Sequence, residues 1–155
     1  DYSQKLSTLS FGQKSQVVLG AIFAQDARLL ILDDYSMGLD AGYRRLFIDY
    51  LKLYIKNGDK TVLITSHVMS DLEGLIKDMV ILKKGGEILR TSMSAFIDSF
   101  RCYEFGLDVD IELSSSHSIE TLGDTKRVFS FDRIQGAREV GCSFEDKFLG
   151  YVGKY

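Results

Sequence analysis

Two rhythms of apolar residues run along this chain. One has the 3.6-residue period of helices, the other is continuous, as in strands buried on both faces. After a polar corner at Ser10–Gln13, the residues Val17, Val18, Ala21 and Ile22 fall on one helical face. "RLLILDD" (Arg28–Asp34) is a continuous apolar run closed by two aspartates, and "TVLITSH" (Thr61–His67) is a second run closed by a histidine. Between them Asp40 is placed to cap a helix. In it Tyr43, Leu46, Phe47, Tyr50, Leu51 and Tyr54 keep the i, i+3, i+4, i+7 spacing until Asn57-Gly58 stops it. A short helix carrying Val68, Leu72, Leu75 and Ile76 comes next, and "MVILKKGGEIL" (Met79–Leu89) reads as a hairpin turning at Gly85-Gly86. Strand, helix, strand, helix in this order predicts an α/β fold with a parallel, right-handed β-α-β sheet.

Beyond about Arg101 the pattern changes. In "YEFGLDVDI" the apolar side chains occupy every odd position from Tyr103 to Ile111, which predicts a half-exposed strand. "SSSHS" reads as a loop, "RVFSF" and "AREVGC" as two further short strands. "SFEDKFLGYV" reads as a closing helix, with Ser143 and Asp146 as its capping box and Phe144, Phe148, Tyr151 and Val152 on one face. The division expected is a main α/β part over residues 1–100 and a small α+β appendage over 101–155.

Composition narrows the classes. Apolar residues make up 45% and charged residues 26% of the 155, an ordinary globular balance. The net charge is -3 and the pI about 5.4, so no basic excess points to nucleic acid. The longest apolar stretch, Val17–Ala24, is interrupted by Gly20 and falls far short of the roughly 20 residues of a membrane span. The pair Cys102 and Cys142 has no metal-type spacing, and spacing alone does not argue for a disulfide. No secretory leader pattern stands at Asp1, so a cytosolic setting is expected.

Three positions carry candidate chemistry. The corner at Ser10–Gln13 offers the unpaired N–H groups and positive dipole end of a helix start, with a hydroxyl at Ser10 and room for close approach at Gly12. This suits an anion such as a phosphate, although an ordinary helix cap explains Ser10 equally well. Asp33 and Asp34 close a parallel strand, where α/β folds hold their ligands. A carboxylate there can hold Mg²⁺ beside nucleotide phosphates, and its neighbour can orient or deprotonate water; the plainer reading is a solvated acidic turn. His67 emerges on the same rim, whereas His117 reads as a loop histidine.

Taken together, "LSFGQ" (Leu9–Gln13), "LLILDDYSMGLD" (Leu29–Asp40), "TVLITSH" and "DMVILKKGGEIL" (Asp78–Leu89) closely resemble the ATP-binding cassette (ABC) ATPases. They match that family's signature motif, Walker B strand with D-loop, switch histidine and trailing hairpin, in order and spacing. The closing helix looks more loosely like that of cassette subunits paired with separate permeases. The resemblance implies a partial P-loop NTPase-like parallel sheet, with ATP and Mg²⁺ as cofactors. It implies partnership with a second cassette, as homo- or heterodimer, and with a membrane permease, at the cytoplasmic face of the cell membrane. It also assigns roles: Ser10 and Gly12, with Gln13, grip the γ-phosphate of ATP held by the partner cassette. Asp33 serves Mg²⁺, Asp34 holds the catalytic carboxylate position, His67 contacts the γ-phosphate and Asp40 belongs to the D-loop.

The chain departs from the family pattern at several points. No G-x-x-x-x-G-K-[ST] loop and no Q-loop occur in it, so it reads as the C-terminal part of a cassette, inactive alone and with an apolar sheet edge left open. Asp34 stands where glutamate is usual, which predicts a slowed site. Phe11 replaces the first signature glycine, Gln16 a frequent arginine and Tyr35 a common proline; the chain has no proline at all. The leading expectation is the ATP-hydrolysing subunit of an ABC transporter. The alternative is a catalytically degenerate cassette that regulates another cassette without turnover. A cassette of DNA repair or translation is a third option, and the coiled-coil insertions or tandem cassettes usual there are not seen.

Overall fold

The computed structural model describes residues 4–56, 58–109 and 116–153, and packing divides the chain into two units, Asp1–Leu75 and Ile76–Tyr155. The first unit opens with a 3₁₀ turn, Leu6–Thr8, and helix α1, Phe11–Ala24. Strand β1, Leu29–Leu32, pairs in parallel with β2, Thr61–Ile64, in the register Leu29↔Thr61 to Leu32↔Ile64. The crossover between them is α2, Ala41–Lys56, and the short helix α3, Met69–Leu72, comes after β2. The predicted β-α-β connection is therefore present, as a pair of strands rather than a wide sheet. Asn57 lies outside the described residues, and α2 ends just before it.

One face of this pair makes the core. Leu30 and Leu32 of β1 are buried with Tyr35, Phe47, Ile48 and Leu51, and Val62, Ile64, Leu19, Ile22 and Phe23 pack against them. Each fully buried Leu, Ile or Phe contributes roughly 1.5–3 kcal/mol relative to exposure. Aromatic contacts bind the layer: Phe23 and Phe47 have ring centroids 5.3 Å apart, and Tyr35 stacks on Phe47 at 4.8 Å.

Three expectations about buried faces change here. The strands are covered on one face only, and Leu29, Ile31 and Leu63 are more than half exposed on the other. In α1 the core face is Leu19, Ile22 and Phe23, while Val17 and Val18 point outward. In α2 it is Phe47, Ile48 and Leu51, while Tyr43, Leu46 and Tyr50 are exposed. Each helix carries an apolar arc wider than a two-stranded sheet can cover, so part of the arc remains in solvent.

The second unit begins with the antiparallel hairpin of β3, Asp78–Leu82, and β4, Ile88–Ser92. It turns at Gly85 (φ 103°) and Gly86 (φ 89°), backbone conformations that favour glycine, as the sequence predicts. Composition groups this hairpin with the α/β part, whereas packing groups it with the C-terminal sheet. Helix α4, Met93–Ser99, is capped by the Ser92 hydroxyl, which accepts from Ala95 N–H at 3.1 Å.

The C-terminal sheet is antiparallel and four-stranded, in the order β6-β7-β5-β8, built from β5 (Arg101–Gly106), β6 (Ser118–Leu122), β7 (Thr125–Ser130) and β8 (Arg138–Val140). The α+β character expected for this region is thus present. β5 stops at Gly106 instead of running on to Ile111, and Asp110–Ser115 lie outside the described residues. Helix α5, Phe144–Val152, starts in the predicted capping box of Ser143 and Asp146. Its Gly150 lets the helix approach β7, because a Cβ there would stand 2.4 Å from the Phe129 ring.

The core of this unit is aromatic. Phe96, Phe100, Phe129, Phe131, Phe144 and Tyr151 form a set of neighbouring rings, and His117 joins it with its ring centroid 5.0 Å from Tyr151 and 5.3 Å from Phe100. His117 is therefore a packed residue, and burial followed by the nearby Lys83 charge lowers its pKa. Among the described residues no helix is long and apolar enough to cross a membrane.

Candidate functional site

The C-terminal rim of the β1–β2 pair gathers the candidate side chains. Thr65, the residue after β2, donates its N–H to Leu32 C=O at 2.9 Å, extending the pairing by one step. Its hydroxyl then donates to Asp33 Oδ1 and accepts from Asp34 N–H at 3.0 Å. One hydroxyl therefore holds both aspartates on the rim. The chain turns at Asp34 with φ 43°, a left-handed conformation that Asp and Asn accept more readily than most residues.

Two residues beyond Thr65, His67 Nδ1 lies 3.2 Å from Asp34 Oδ1. The histidine side chain is 74% exposed and the aspartate 34%. With the proton on Nδ1 the contact is a hydrogen bond, and Nε2 is then the nitrogen presented to a ligand. The buried Ser36 hydroxyl donates to the same Oδ1 at 3.4 Å.

Behind the rim stands a second polar link. The buried Tyr35 donates its hydroxyl to Asp71 Oδ2 at 3.0 Å, and Arg44 Nε lies 3.8 Å from the same oxygen. Burial, with the Asp71 hydrogen bond, raises the Tyr35 pKa, so the phenol stays protonated. This joins the turn after Asp34 to α3, the helix just beyond His67. Sequence reasoning does not reach Thr65 or Asp71 as site residues. The signal available is thin: a hydroxyl at a strand end and a single acid in a short helix.

The corner at Ser10–Gln13 is the exposed start of α1. Ser10 Oγ accepts from Gln13 N–H at 3.3 Å, and Gln13 Oε1 accepts from Ser10 N–H at 2.9 Å. Gln13 thus completes the cap. This leaves the first-turn N–H groups of Phe11 and Gly12, for which an α-helix supplies no internal acceptor. Gly12 also packs closely: a Cβ there would lie 2.6 Å from Gly38 C=O. Gly38, at φ 77°, lies under the Phe11 ring, and Ser15 Oγ bonds Met37 C=O at 3.4 Å. The corner therefore abuts the loop that runs from Asp34 to Asp40. Asp40 caps α2, accepting from Tyr43 N–H at 3.0 Å.

The donor set at Asp33 suits a hard divalent cation. Among the described residues no three His, Cys, Asp or Glu stand together as a closed metal cage. Mg²⁺ does not need one, since it is usually held by one or two carboxylates with waters and phosphate oxygens. Exposed Asp33, its carboxylate held by the Thr65 hydroxyl, can supply one such carboxylate.

Comparison with known proteins yields no matching family model. The chain is 34% identical to a Nod factor export ATP-binding protein I of Rhizobium meliloti (strain 1021), over 97% of its own length and 50% of that protein. It is 33% identical to the protein of the same name from Burkholderia orbicola (strain AU 1054), over 68% of the chain and 33% of the relative. It is 30% identical to the energy-coupling factor transporter ATP-binding protein EcfA2 of Clostridioides difficile (strain 630), over 65% of the chain and 36% of the relative. The chain spans about half the length of the first of these.

Proposed function

The chain belongs to the ABC transporter ATP-binding proteins, and on that premise we propose that the protein is an ATP-hydrolysing subunit that energises a membrane permease by ATP-dependent closure of two cassettes. The observation that carries this reading is the contact of His67 Nδ1 with Asp34 Oδ1 at 3.2 Å, on the rim where Thr65 also holds Asp33. An acid and an imidazole so placed, beside a carboxylate suited to a cation, are among the parts that phosphoryl transfer to water uses.

In this reading the β1–β2 pair belongs to a P-loop NTPase-like sheet. Mg²⁺, when bound with ATP, neutralises charge on the phosphates. Asp33 holds the cation's shell, with the Thr65 hydroxyl fixing its carboxylate. Asp34 orients and deprotonates the attacking water, and His67 faces the γ-phosphate with Nε2 while Nδ1 keeps Asp34 in place. Ser10 and the N–H of Gly12 close on ATP bound by a partner cassette, and Asp40 lies in the loop facing that partner. The Phe11 side chain does not obstruct this, since its ring packs on Gly38. The protein works at the inner face of the cell membrane.

A second reading rests on Asp34. Its Oδ1 is already engaged by His67 and Ser36, and the side chain is one methylene shorter than glutamate. A cassette with such a carboxylate serves as a non-hydrolysing partner that contributes only Ser10 and Gly12.

The test is ATP turnover by the protein as its gene encodes it, compared with Asp34→Asn and His67→Ala. A fall of at least ~10²-fold in each supports the hydrolytic reading. No turnover in any form, with ATP-dependent association with a second cassette that Ser10→Arg abolishes, supports the regulatory one. Turnover unchanged by both substitutions removes these residues from catalysis.

A further inference from the structure

We propose that Cys102 and Cys142 form a redox-active dithiol, which a low-molecular-weight disulfide of the glutathione class converts reversibly into a cystine joining β5 to the segment after β8. The placement begins with the sheet register. Cys102 on β5 pairs with Val140 on β8, and Cys142 stands two residues later. Cys102 and Val140, as a cross-strand pair, face the same side of the sheet, and Cys142 follows just past the end of β8. Diagonal neighbours in an antiparallel pair have Cα atoms about 7–8 Å apart. A disulfide spans about 4.4–6.8 Å between Cα atoms, so a small closing movement is needed. The intervening Gly141 is exposed, with open space where a Cβ would stand, and can absorb that movement. The two side chains stand close enough for each to shift the other's titration.

The two cysteines differ in the ways a nucleophile and a resolving thiol must. Cys102 is 1% exposed, while Cys142 is partly open to solvent. The neighbouring Cys102 thiol foremost, with Lys147 and Arg127 assisting against burial and Asp146, brings the Cys142 thiol down to about 7. The Cys142 sulfur beside it, with burial, pushes the Cys102 thiol up. At neutral pH the accessible sulfur is therefore the one that carries thiolate, the form that attacks.

The exchange balances in two steps. The Cys142 thiolate attacks one sulfur of glutathione disulfide, forming a mixed disulfide and expelling one glutathione thiolate. Cys102 then gives its proton to water, and its sulfur attacks the Cys142 sulfur and expels the second glutathione thiolate. The protein dithiol loses two electrons and two protons, and the glutathione disulfide gains them as two thiols. A reducing thiol reverses both steps.

The experiment incubates the whole chain with glutathione disulfide and tracks it by mass spectrometry after trypsin. The expected product is a linked pair of peptides beginning at Cys102 and Glu139, with loss of two hydrogens, which reduced glutathione removes. Iodoacetamide labels Cys142 at least ~10-fold faster than Cys102 in the folded reduced chain. In Cys102→Ser the glutathione adduct persists on Cys142, because the resolving thiol is gone. Should Cys102→Ser not fold, Cys142→Ser replaces a more exposed residue, and neither position is then modified. Three results overturn the proposal: a lasting glutathione adduct on Cys142 in the unmodified sequence, both thiols unreacted, or disulfides only between molecules. Modification of Cys102 in Cys142→Ser overturns the assignment of the attacking sulfur.

Discussion

His67 Nδ1 lies 3.2 Å from Asp34 Oδ1, though the two residues are distant in sequence. The parallel register Leu32↔Ile64 places the two strand ends side by side, and Thr65 holds the aspartates from the facing strand. The pair is thus a consequence of strand pairing, and it makes the length of the residue 34 side chain matter.

Lengthening that carboxylate tests the proposed hydrolytic role. A misplacement of about 1 Å can cost ~10²-fold in rate. Asp34→Glu is expected to raise ATP turnover of the protein as encoded, by up to that factor. Steady-state phosphate release is the measurement, and an unchanged or lower rate removes the idea that the short side chain slows the site.

Thr65→Val keeps the shape of the side chain and its strand propensity but deletes the hydroxyl between Asp33 and Asp34. Each lost hydrogen bond is worth roughly 0.5–1.5 kcal/mol, so stability should fall by about 1–3 kcal/mol. Urea unfolding monitored by circular dichroism reads this directly. A loss well below 1 kcal/mol means that Thr65 does not brace the rim.

Local and distant information separate at this rim. Asp33, Asp34 and His67 are legible in the sequence because each ends an apolar strand run. Thr65 and Asp71 are not, since what marks them is a partner more than thirty residues away. The corner at Ser10–Gln13 is legible for the same reason as the strand ends: a cap is specified within one turn.

Two tyrosines should make stability fall in alkali. Burial, then the Glu87 hydrogen bond, pushes Tyr151 up to about 12, and burial with Asp71 raises Tyr35. An unfolded tyrosine ionises near pH 10. The folded chain therefore holds protons that the unfolded chain releases, and the stabilisation is complete below pH 10 and lost as pH rises toward 12. Tyr35→Phe combined with Tyr151→Phe should flatten this decline. Denaturant midpoints measured from pH 8 to pH 11 would show it, and an unaltered slope would overturn it.

Gly150→Ala sets two effects against each other. Ala in a helix is favoured over Gly by up to about 1 kcal/mol. A Cβ at this position would stand 2.4 Å from the buried Phe129 ring, and overpacking of that kind costs about 1–3 kcal/mol. The clash should win, giving a lower melting temperature and altered near-ultraviolet dichroism from the aromatic cluster. A higher melting temperature would mean that α5 sits farther from β7 than the structure has it.

By itself the sequence determined what depends on neighbours along the chain. The strand-helix-strand order, the hairpin at Gly85-Gly86, the caps at Ser10, Asp40 and Ser143 and the acids at the end of β1 all arise from short-range periodicity and backbone preference. Tertiary structure decided which part of each apolar arc is buried, so that Leu19 and Phe23 face the core while Val17 and Val18 do not. It also decided that the hairpin packs with the second unit, that His117 joins an aromatic cluster and that Cys102 pairs with the residue two before Cys142. Burial and pairing are properties of surfaces brought together from distant segments. Residue periodicity records which residues can be buried, and the partner that covers them is chosen only when the chain has folded.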